Sequence, residues 1–581
     1  MDENNEENQD FIYVDGRKLY LHEDTKEIVA TITFPDYPHI KEKIPLKING
    51  KINGFWVDEN NQQLTQTKNV FYGEKVKIKL ITINVSDGRE IEVEIKAKQE
   101  DKVIYLKEDK NTLKFKIKVK NGEAISEPFY LNPEWYNEEI EKYNYINHQT
   151  KIDLDKALTF VFEAKFTDGK RIYKLPREDN DKLKPVTYRR NYEELIGLFN
   201  TDNSGNKDKE QNYENKFIDS NSEIKTIVYE LIEKVTNQDT TISKIKSLVE
   251  EKAKSLWDSA VKQVQSGNLD DRPLYWARNK MQTWLKRNPL FKDQIDFDKS
   301  LVKKGTELDN IITLFEENSR NYTGIDFSKA GNKKRVLITG FDPFQLGFKF
   351  YGESGIQTFN PSGIIALALN NSKELLKNNI YIQTCIFPVR YEDFDNQIVE
   401  KVVKKHINNQ LSLLMTTSLN GGNPRFDIEK YATEYRGGFH DNMCVGDYNN
   451  PKYDKSRFLA NESSKLTETT LPKKKIFGAS DNIEVNGQNI YFDTEKSETT
   501  GSGSNYLSNE VMFRATKVRG ALDIPVGHFH LGNLKTKDPK TGETKSDILK
   551  SKKIENIVIE IIKRYYYEDK FINYFIYLFP I

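Results

Sequence analysis

The chain has 581 residues, room for three or four domains at the usual size of roughly 150 residues each. Its 88 basic and 88 acidic side chains cancel, so no global field draws it to nucleic acid or an anionic membrane, and a mean hydropathy of -0.71 describes a globular protein with a very polar surface. Two cysteines, Cys385 and Cys444, exclude a disulfide scaffold and any zinc site built on several thiolates.

The amino terminus, MDENNEENQDF, lacks the basic and apolar segments of a secretory signal, and nowhere do about 18 uncharged apolar residues run together. The expectation is a soluble protein without a membrane span, cytoplasmic as synthesised, whose export would need a secretion machine that reads no signal peptide. From residue 11 to about 176 the pattern has period two: KVKIKL at 75–80, IEVEI at 91–95 and LKFKIKV at 113–119 read as half-buried strands with charged outer faces. The turn pairs Asn49-Gly50, Asn53-Gly54, Asp87-Gly88 and Asn121-Gly122 recur at sandwich-like spacing. They predict two β-sandwich-like (Ig-like) modules, 1–105 and 106–187. The lysine rows alternate with glutamates in a neighbouring strand, which suits protected sheet edges and not nucleic-acid binding.

After the Asn-rich stretch 200–221 the period becomes helical. Ile224, Ile227, Val228, Leu231 and Val235 follow Ser222 as N-cap, and two further stripes occupy 242–264 and 274–285. These predict a helical connector domain over 188–330, with Trp276 and Trp284 in its core.

From about residue 331 strand patterns at 335–339, 380–389 and 411–416 alternate with helical ones at 362–376 and 393–406. This predicts an α/β domain, 331–581, with a mostly parallel sheet covered by helices and a site at the carboxyl ends of its strands. A polar insertion at about 445–500, with a hairpin-like segment 483–492 around Asn486-Gly487, is suited to cover or reshape a pocket. The apolar end, 571–581, is too short to span a membrane and reads as a terminal strand or helix edge packed on a core.

The α/β segment carries seven ordered landmarks: the GFDPF loop at 340–344 with Asn360-Pro361-Ser362; FPVRY at 387–391; Gly421-Gly422-Asn423 through Ala432; Asp441-Asn442; TTLP at 469–472; GSNYLSN at 503–509; and GHFH at 527–530. Together they resemble the pyroglutamyl peptidase I (pyrrolidone-carboxylate peptidase) family of cysteine peptidases. The resemblance implies a nucleophile, a base and an acid at Ser508, His530 and Glu429, and a pocket for the substrate ring at Phe341, Phe344 and Asn360. Two positions depart from the family pattern. Ser508 stands where the family has cysteine, and a hydroxyl ionises far less readily than a thiol of pKa about 8.5. Asn423 stands where the family has arginine, with Arg425 two residues on as the alternative carbonyl-stabilising group.

Other readings of these residues stay open: Ser508 as a helix N-cap, Asp427 as the acid, Cys444 as a displaced nucleophile, and His528 with His530 as a metal pair. The expected function is an amide or peptide hydrolase with a Ser-His-Glu arrangement, no cofactor and no metal. It fits the enzymatic domain of a delivered bacterial effector, with the β modules docking a protein partner such as secretion machinery. The rival is a catalytically inactive pseudopeptidase acting as a binding or delivery module.

Overall fold

The computed structural model describes residues 51–65, 69–99, 113–136, 158–199, 212–297, 299–347, 355–408, 410–421, 423–437, 439–446, 466–537 and 546–567. Beyond these it describes the backbone of 11–14, 17–20, 28–34, 37–46, 102–104, 456–457, 544–545 and 568–578. The turn pair Asn49-Gly50 lies outside the described residues. Two compact units emerge, one of residues 1–189 with 287–299 and one of 190–286 with 300–581.

In the first unit alternation does what period two dictates. Along Lys75–Ile83 the side chains of Val76, Ile78 and Leu80 are buried while the lysines between them turn outward, and Ile91, Val93, Ile95 and Ala97 repeat this along Glu90–Gln99. Glu90–Gln99 pairs antiparallel with Lys114–Lys118 and with Thr159–Phe166, so strands from both sides of residue 105 share one sheet. Lys75–Ile83 and Lys51–Val57 belong to a second sheet, and both sheets contribute to one apolar core around Trp56, whose ring meets Phe162 edge-on at 5.4 Å. The lysine rows are matched by glutamates on neighbouring strands, as in Lys96 with Glu163 at 2.6 Å and Lys165 with Glu92 at 3.1 Å.

The second unit contains, among its amino-terminal helices, Ser222–Val235, Ile242–Gln265, Arg272–Lys286 and Glu307–Ser319. Asn221, not Ser222, caps the first: its side-chain oxygen accepts from the amides of Glu223 and Ile224, both at 3.0 Å. Trp276 is fully buried and Trp284 half-buried.

A seven-stranded sheet follows, its strands numbered here in chain order: β1 Lys334–Phe341, β2 Ile380–Phe387, β3 Leu411–Asn420, β4 Phe426–Glu429, β5 Asn482–Val485, β6 Gln488–Asp493 and β7 Val526–Gly532. The spatial order is β2-β1-β3-β7-β4-β6-β5. β2, β1, β3 and β7 run parallel; β4 is antiparallel to β7 and parallel to β6, and β5 is antiparallel to β6. β5 and β6 form the hairpin read at 483–492, and Asn486 (φ 50°) with Gly487 (φ 66°) makes the doubly left-handed turn that a two-residue hairpin favours.

Helix boundaries depart from the sequence reading where polar side chains intercept the backbone. The helix predicted at 362–376 is Pro361–Leu369, a break, then Lys373–Lys377. At the break Asn371 is left-handed (φ 54°), and Gln265 donates its amide to the carbonyls of Ala368 (3.2 Å) and Asn370 (2.8 Å). The helix predicted at 393–406 is interrupted at Gln397 (φ 61°), and β3 runs four residues past the predicted end at 416. The apolar carboxyl end belongs to a helix, Ser551–Leu578. Among the described residues no helix is long and apolar enough to cross a membrane.

Candidate active site

Strand alternation sorts the central sheet into two unlike faces. Leu413 and Met415 of β3, Ile428 of β4, and Phe529 and Leu531 of β7 point into one apolar core. The residues one step out of phase are Thr416 and Ser418, Asp427 and Glu429, and His528 and His530. Register aligns them: Thr416 is beside His528 and Ser418 beside His530, while Glu429 faces His528 and Asp427 faces His530. All six are at least nine-tenths buried, so each polar group needs a partner.

His530 finds two. Its Nδ1 lies 2.7 Å from Glu429 Oε1, and its Nε2 lies 3.1 Å from the carbonyl oxygen of Leu419. A carbonyl only accepts and the carboxylate accepts, so this geometry belongs to the imidazolium, with an N–H on each nitrogen. Burial alone would lower the pKa of His530, but Glu429, Asp427 and the Leu419 carbonyl outweigh it and raise the pKa above its ordinary 6.5. Burial likewise pushes the Glu429 carboxyl up, and the two histidines more than offset it, so Glu429 stays ionised below its usual range. Gly503 sits against this carboxylate so closely that a Cβ there would fall 1.7 Å from Glu429 Oε1.

His528 is the contrasting neighbour. Its Nδ1 is 2.8 Å from Thr416 Oγ1 and its Nε2 2.8 Å from Ser418 Oγ, and burial lowers its pKa to about 4, which keeps the ring neutral at pH 7. Glu429, His528 and His530 each bring a ligand-capable atom within 4.8 Å of the others. Both nitrogens of His528 are committed to hydroxyls, so a metal would have to displace one of those hydrogen bonds.

These groups open on a cavity of about 460 Å³ at the carboxyl ends of the parallel strands. Phe341, Phe344, Asn360, Ser508 and His530 all line it. Ser508 is in the first turn of helix Leu507–Arg519; its N-cap is Tyr506, so the N-cap reading of Ser508 does not hold. The Ser508 hydroxyl makes no hydrogen bond among the described residues, to His530 or to any other group. Phe341 stacks on Phe394 with ring centres 6.1 Å apart, and Phe344 lies 6.3 Å from Tyr506. Asn360 caps helix Pro361–Leu369: its Oδ1 accepts from the Ser362 amide (3.0 Å) and hydroxyl (2.8 Å), and its Nδ2 donates to the Asp342 carbonyl at 2.7 Å.

Asn423 and Arg425 do not line the cavity. Asn423 holds a turn by accepting from the Arg425 amide at 3.0 Å, and the Arg425 side chain reaches Asp427 at 2.5 Å while its guanidinium lies over the Tyr491 ring. Asp427 is thereby a partner of Arg425, with burial raising its pKa to about 6. The described insertion residues, 466–500, extend the sheet edge and supply no cavity wall. Cys444 does not line the cavity either.

Sequence reasoning missed Ser418, Thr416, Gly503 and the wall residues Phe439 and Tyr506. It also missed the support supplied by the helical residues. Asp271 accepts from the Asn360 amide at 3.1 Å, and the buried Asp342 sits between Arg278 and Arg320, 2.6 Å from the latter. Asn442 donates to the Pro343 carbonyl at 2.8 Å, and Asp441 accepts from the amides of Tyr391, Met443 and Val445, so that landmark staples the loops around Phe344.

Residues 204–301 match the family described as PA0049 N-terminal domain, and residues 335–457 the family described as PA0049, C-terminal domain. Neither span reaches Ser508 or His530. An uncharacterised Pseudomonas aeruginosa protein, PA0049, is 24% identical over 412 residues, covering 52% of this chain and 73% of that protein. Among solved structures the chain is similar to a mutant pyrrolidone carboxyl peptidase from Pyrococcus furiosus, at 20% identity and a TM-score of 0.28, over 39% of this chain and 97% of that one. It is also similar to pyroglutamyl peptidase I from Bacillus amyloliquefaciens, at 20% identity and a TM-score of 0.28, over 39% of this chain and 94% of that one.

Proposed function

We propose that the protein hydrolyses an amide or peptide bond, with Ser508 as nucleophile, His530 as general base and then acid, and Glu429 as the group that orients and charges the imidazole. The observation that carries this is the buried His530–Glu429 contact at 2.7 Å, with His530 and Ser508 lining one cavity. The competent enzyme is the one whose His530 has lost the Nε2 proton. The imidazole then turns from the Leu419 carbonyl to Ser508 and takes the hydroxyl proton as Oγ bonds to the substrate carbonyl carbon. The oxyanion forms beside the first-turn amides of helix Leu507–Arg519, which have no partner within the helix. His530 returns the proton to the leaving amine, and water hydrolyses the acyl ester on Ser508 by the same steps reversed. The aromatic end of the cavity at Phe341 and Phe344 suits a flat lactam ring, and a pyroglutamyl group is the substrate proposed.

One observation favours the pseudopeptidase reading: the His530 Nε2 proton is spent on Leu419, and the Ser508 hydroxyl has no partner among the described residues. Turnover of a fluorogenic pyroglutamyl amide by the wild type, Ser508→Ala and Ser508→Cys separates the two. Wild-type turnover lost in Ser508→Ala is expected. Activity only in Ser508→Cys would mean an intact pocket with its chemistry disarmed, and silence from all three would sink the pyroglutamyl substrate. Docking of a protein partner such as secretion machinery is proposed for residues 1–187 on layout alone; deletion of that stretch with export unchanged would remove it.

A further inference from the structure

The cavity wall holds a second hydroxyl with a fixed polarity. The chain of hydrogen bonds behind it starts at the Gly527 carbonyl, which only accepts, so the Thr416 hydroxyl that lies 3.3 Å from it donates there. Thr416 Oγ1 then has only lone pairs to offer His528 Nδ1 at 2.8 Å, which puts the ring proton on Nδ1. A neutral imidazole protonated at Nδ1 has a bare Nε2, and that atom takes the Ser418 hydroxyl proton at 2.8 Å. The depressed pKa of His528, about 4, agrees with a ring that stays neutral through this arrangement and is too weak a base to make Ser418 a nucleophile at neutral pH.

Ser418 lines the cavity with its one hydrogen already spent, so it meets a ligand with lone pairs alone. Two polar groups next to it in the chain have partners in this structure. The Leu419 carbonyl takes the His530 proton, and Asn420 Nδ2 donates to the Arg425 carbonyl and to Asp427, both at 3.1 Å. We propose that Ser418 is a specificity-determining residue of this cavity, an acceptor wired by His528 and Thr416 that selects substrates presenting an N–H, as a lactam or amide does, and rejects isosteres with an oxygen in that place. The inference rests on the reading that the cavity takes an amide-type substrate. A site built to accept a hydrogen bond turns away a ligand that brings another lone pair, because both groups lose water and neither gains a partner.

Two measurements on the full chain test it separately from turnover. Nitrogen-15 NMR of the histidine rings, with His528 assigned by its loss in His528→Gln, should show the neutral Nδ1–H form from pH 5.5 to 8.5. An Nε2–H form would leave the Ser418 hydroxyl free to donate into the cavity and would overturn the proposal. Titration with 2-pyrrolidinone and with γ-butyrolactone, ring isosteres that differ in N–H against O, should give at least a tenfold preference for the lactam. That preference should vanish in Ser418→Ala and weaken in Thr416→Val, whose altered side chain is outside the cavity lining. Equal affinities in the wild type, or a preference that survives in Ser418→Ala, would overturn it. If neither ring binds, the amide-substrate reading falls, and the acceptor assignment is decided by the His528 tautomer alone.

Discussion

On one face of the seven-stranded sheet Leu413, Met415, Ile428, Phe529 and Leu531 share an apolar core; on the other, one residue out of phase, lie Thr416, Ser418, Asp427, Glu429, His528 and His530. Both faces are buried, yet they do different things with burial. Each large apolar side chain on the first gains roughly 1.5–3 kcal/mol by leaving water. Each hydrogen bond on the second replaces one with water and nets about 0.5–1.5 kcal/mol, so that face adds little to stability and holds protons at named atoms instead. The same strands therefore supply a scaffold from one side and a set of oriented donors and acceptors from the other.

The largest test of that division removes the support of the polar face. A fragment beginning at residue 331 loses Asp271, Arg278 and Arg320, and leaves Asp342 a buried carboxylate without either arginine. Stranding such a group costs about 3–5 kcal/mol, and the packing of the helices goes with it. The fragment is expected to be insoluble or molten by near-ultraviolet circular dichroism, although the sequence boundary at 331 suggested an independent domain; a sharp thermal transition would break the argument. Next in size, Leu413→Ala on the apolar face should cost about 2–5 kcal/mol by chemical denaturation, while Ser418→Ala on the polar face, which leaves the buried His528 Nε2 without its donor, costs about 1–3 kcal/mol. Reversed magnitudes would erase the distinction between the faces. Gly503→Ala is a sharper probe, because its methyl group collides with the Glu429 carboxylate: turnover should drop at least a hundredfold, with thermal stability lowered less than in Leu413→Ala.

The sequence made the framework legible where local pattern decides structure. Period two at 75–80 and 91–95 and the Asn486-Gly487 turn needed no tertiary information, and the ordered landmarks were enough to bring Phe341, Phe344, Asn360, Ser508 and His530 to one cavity. Ser418 and Thr416 escaped because hydroxyls do not interrupt an apolar strand pattern, and because their meaning comes from the β3–β7 register, which no local pattern encodes. Asn423 and Arg425 were assigned to the site from the family resemblance, whereas Arg425 is drawn to Asp427 two residues on. Asp271 and Arg278 read as ordinary polar positions of helices. Their partners, Asn360 and Asp342, are some 60 to 90 residues on, a separation of 64 for Arg278 and 89 for Asp271.

The smallest expected effect carries the most information about the polar face, because one proton sets both stability and rate there. The raised pKa of His530 means that its charged form is better satisfied in the folded chain than in the unfolded one. Its contribution to stability is complete below the ordinary pKa of about 6.5 and is lost as pH rises through the folded value. The base function needs the opposite state, with Nε2 bare, so kcat/KM should climb over the interval in which this stabilisation fades, giving an acid limb above pH 6.5. Glu429→Gln removes the anion and leaves the burial. The limb should then move to lower pH by about one unit or more, equivalent to roughly 1.4 kcal/mol, and the fall in thermal stability over the same interval should flatten. Paired pH–rate and thermal-unfolding series from pH 5.5 to 8.5 read both. A limb unmoved by Glu429→Gln would assign that titration to another group, and would separate His530 from the carboxylate that the register of β4 and β7 sets beside it.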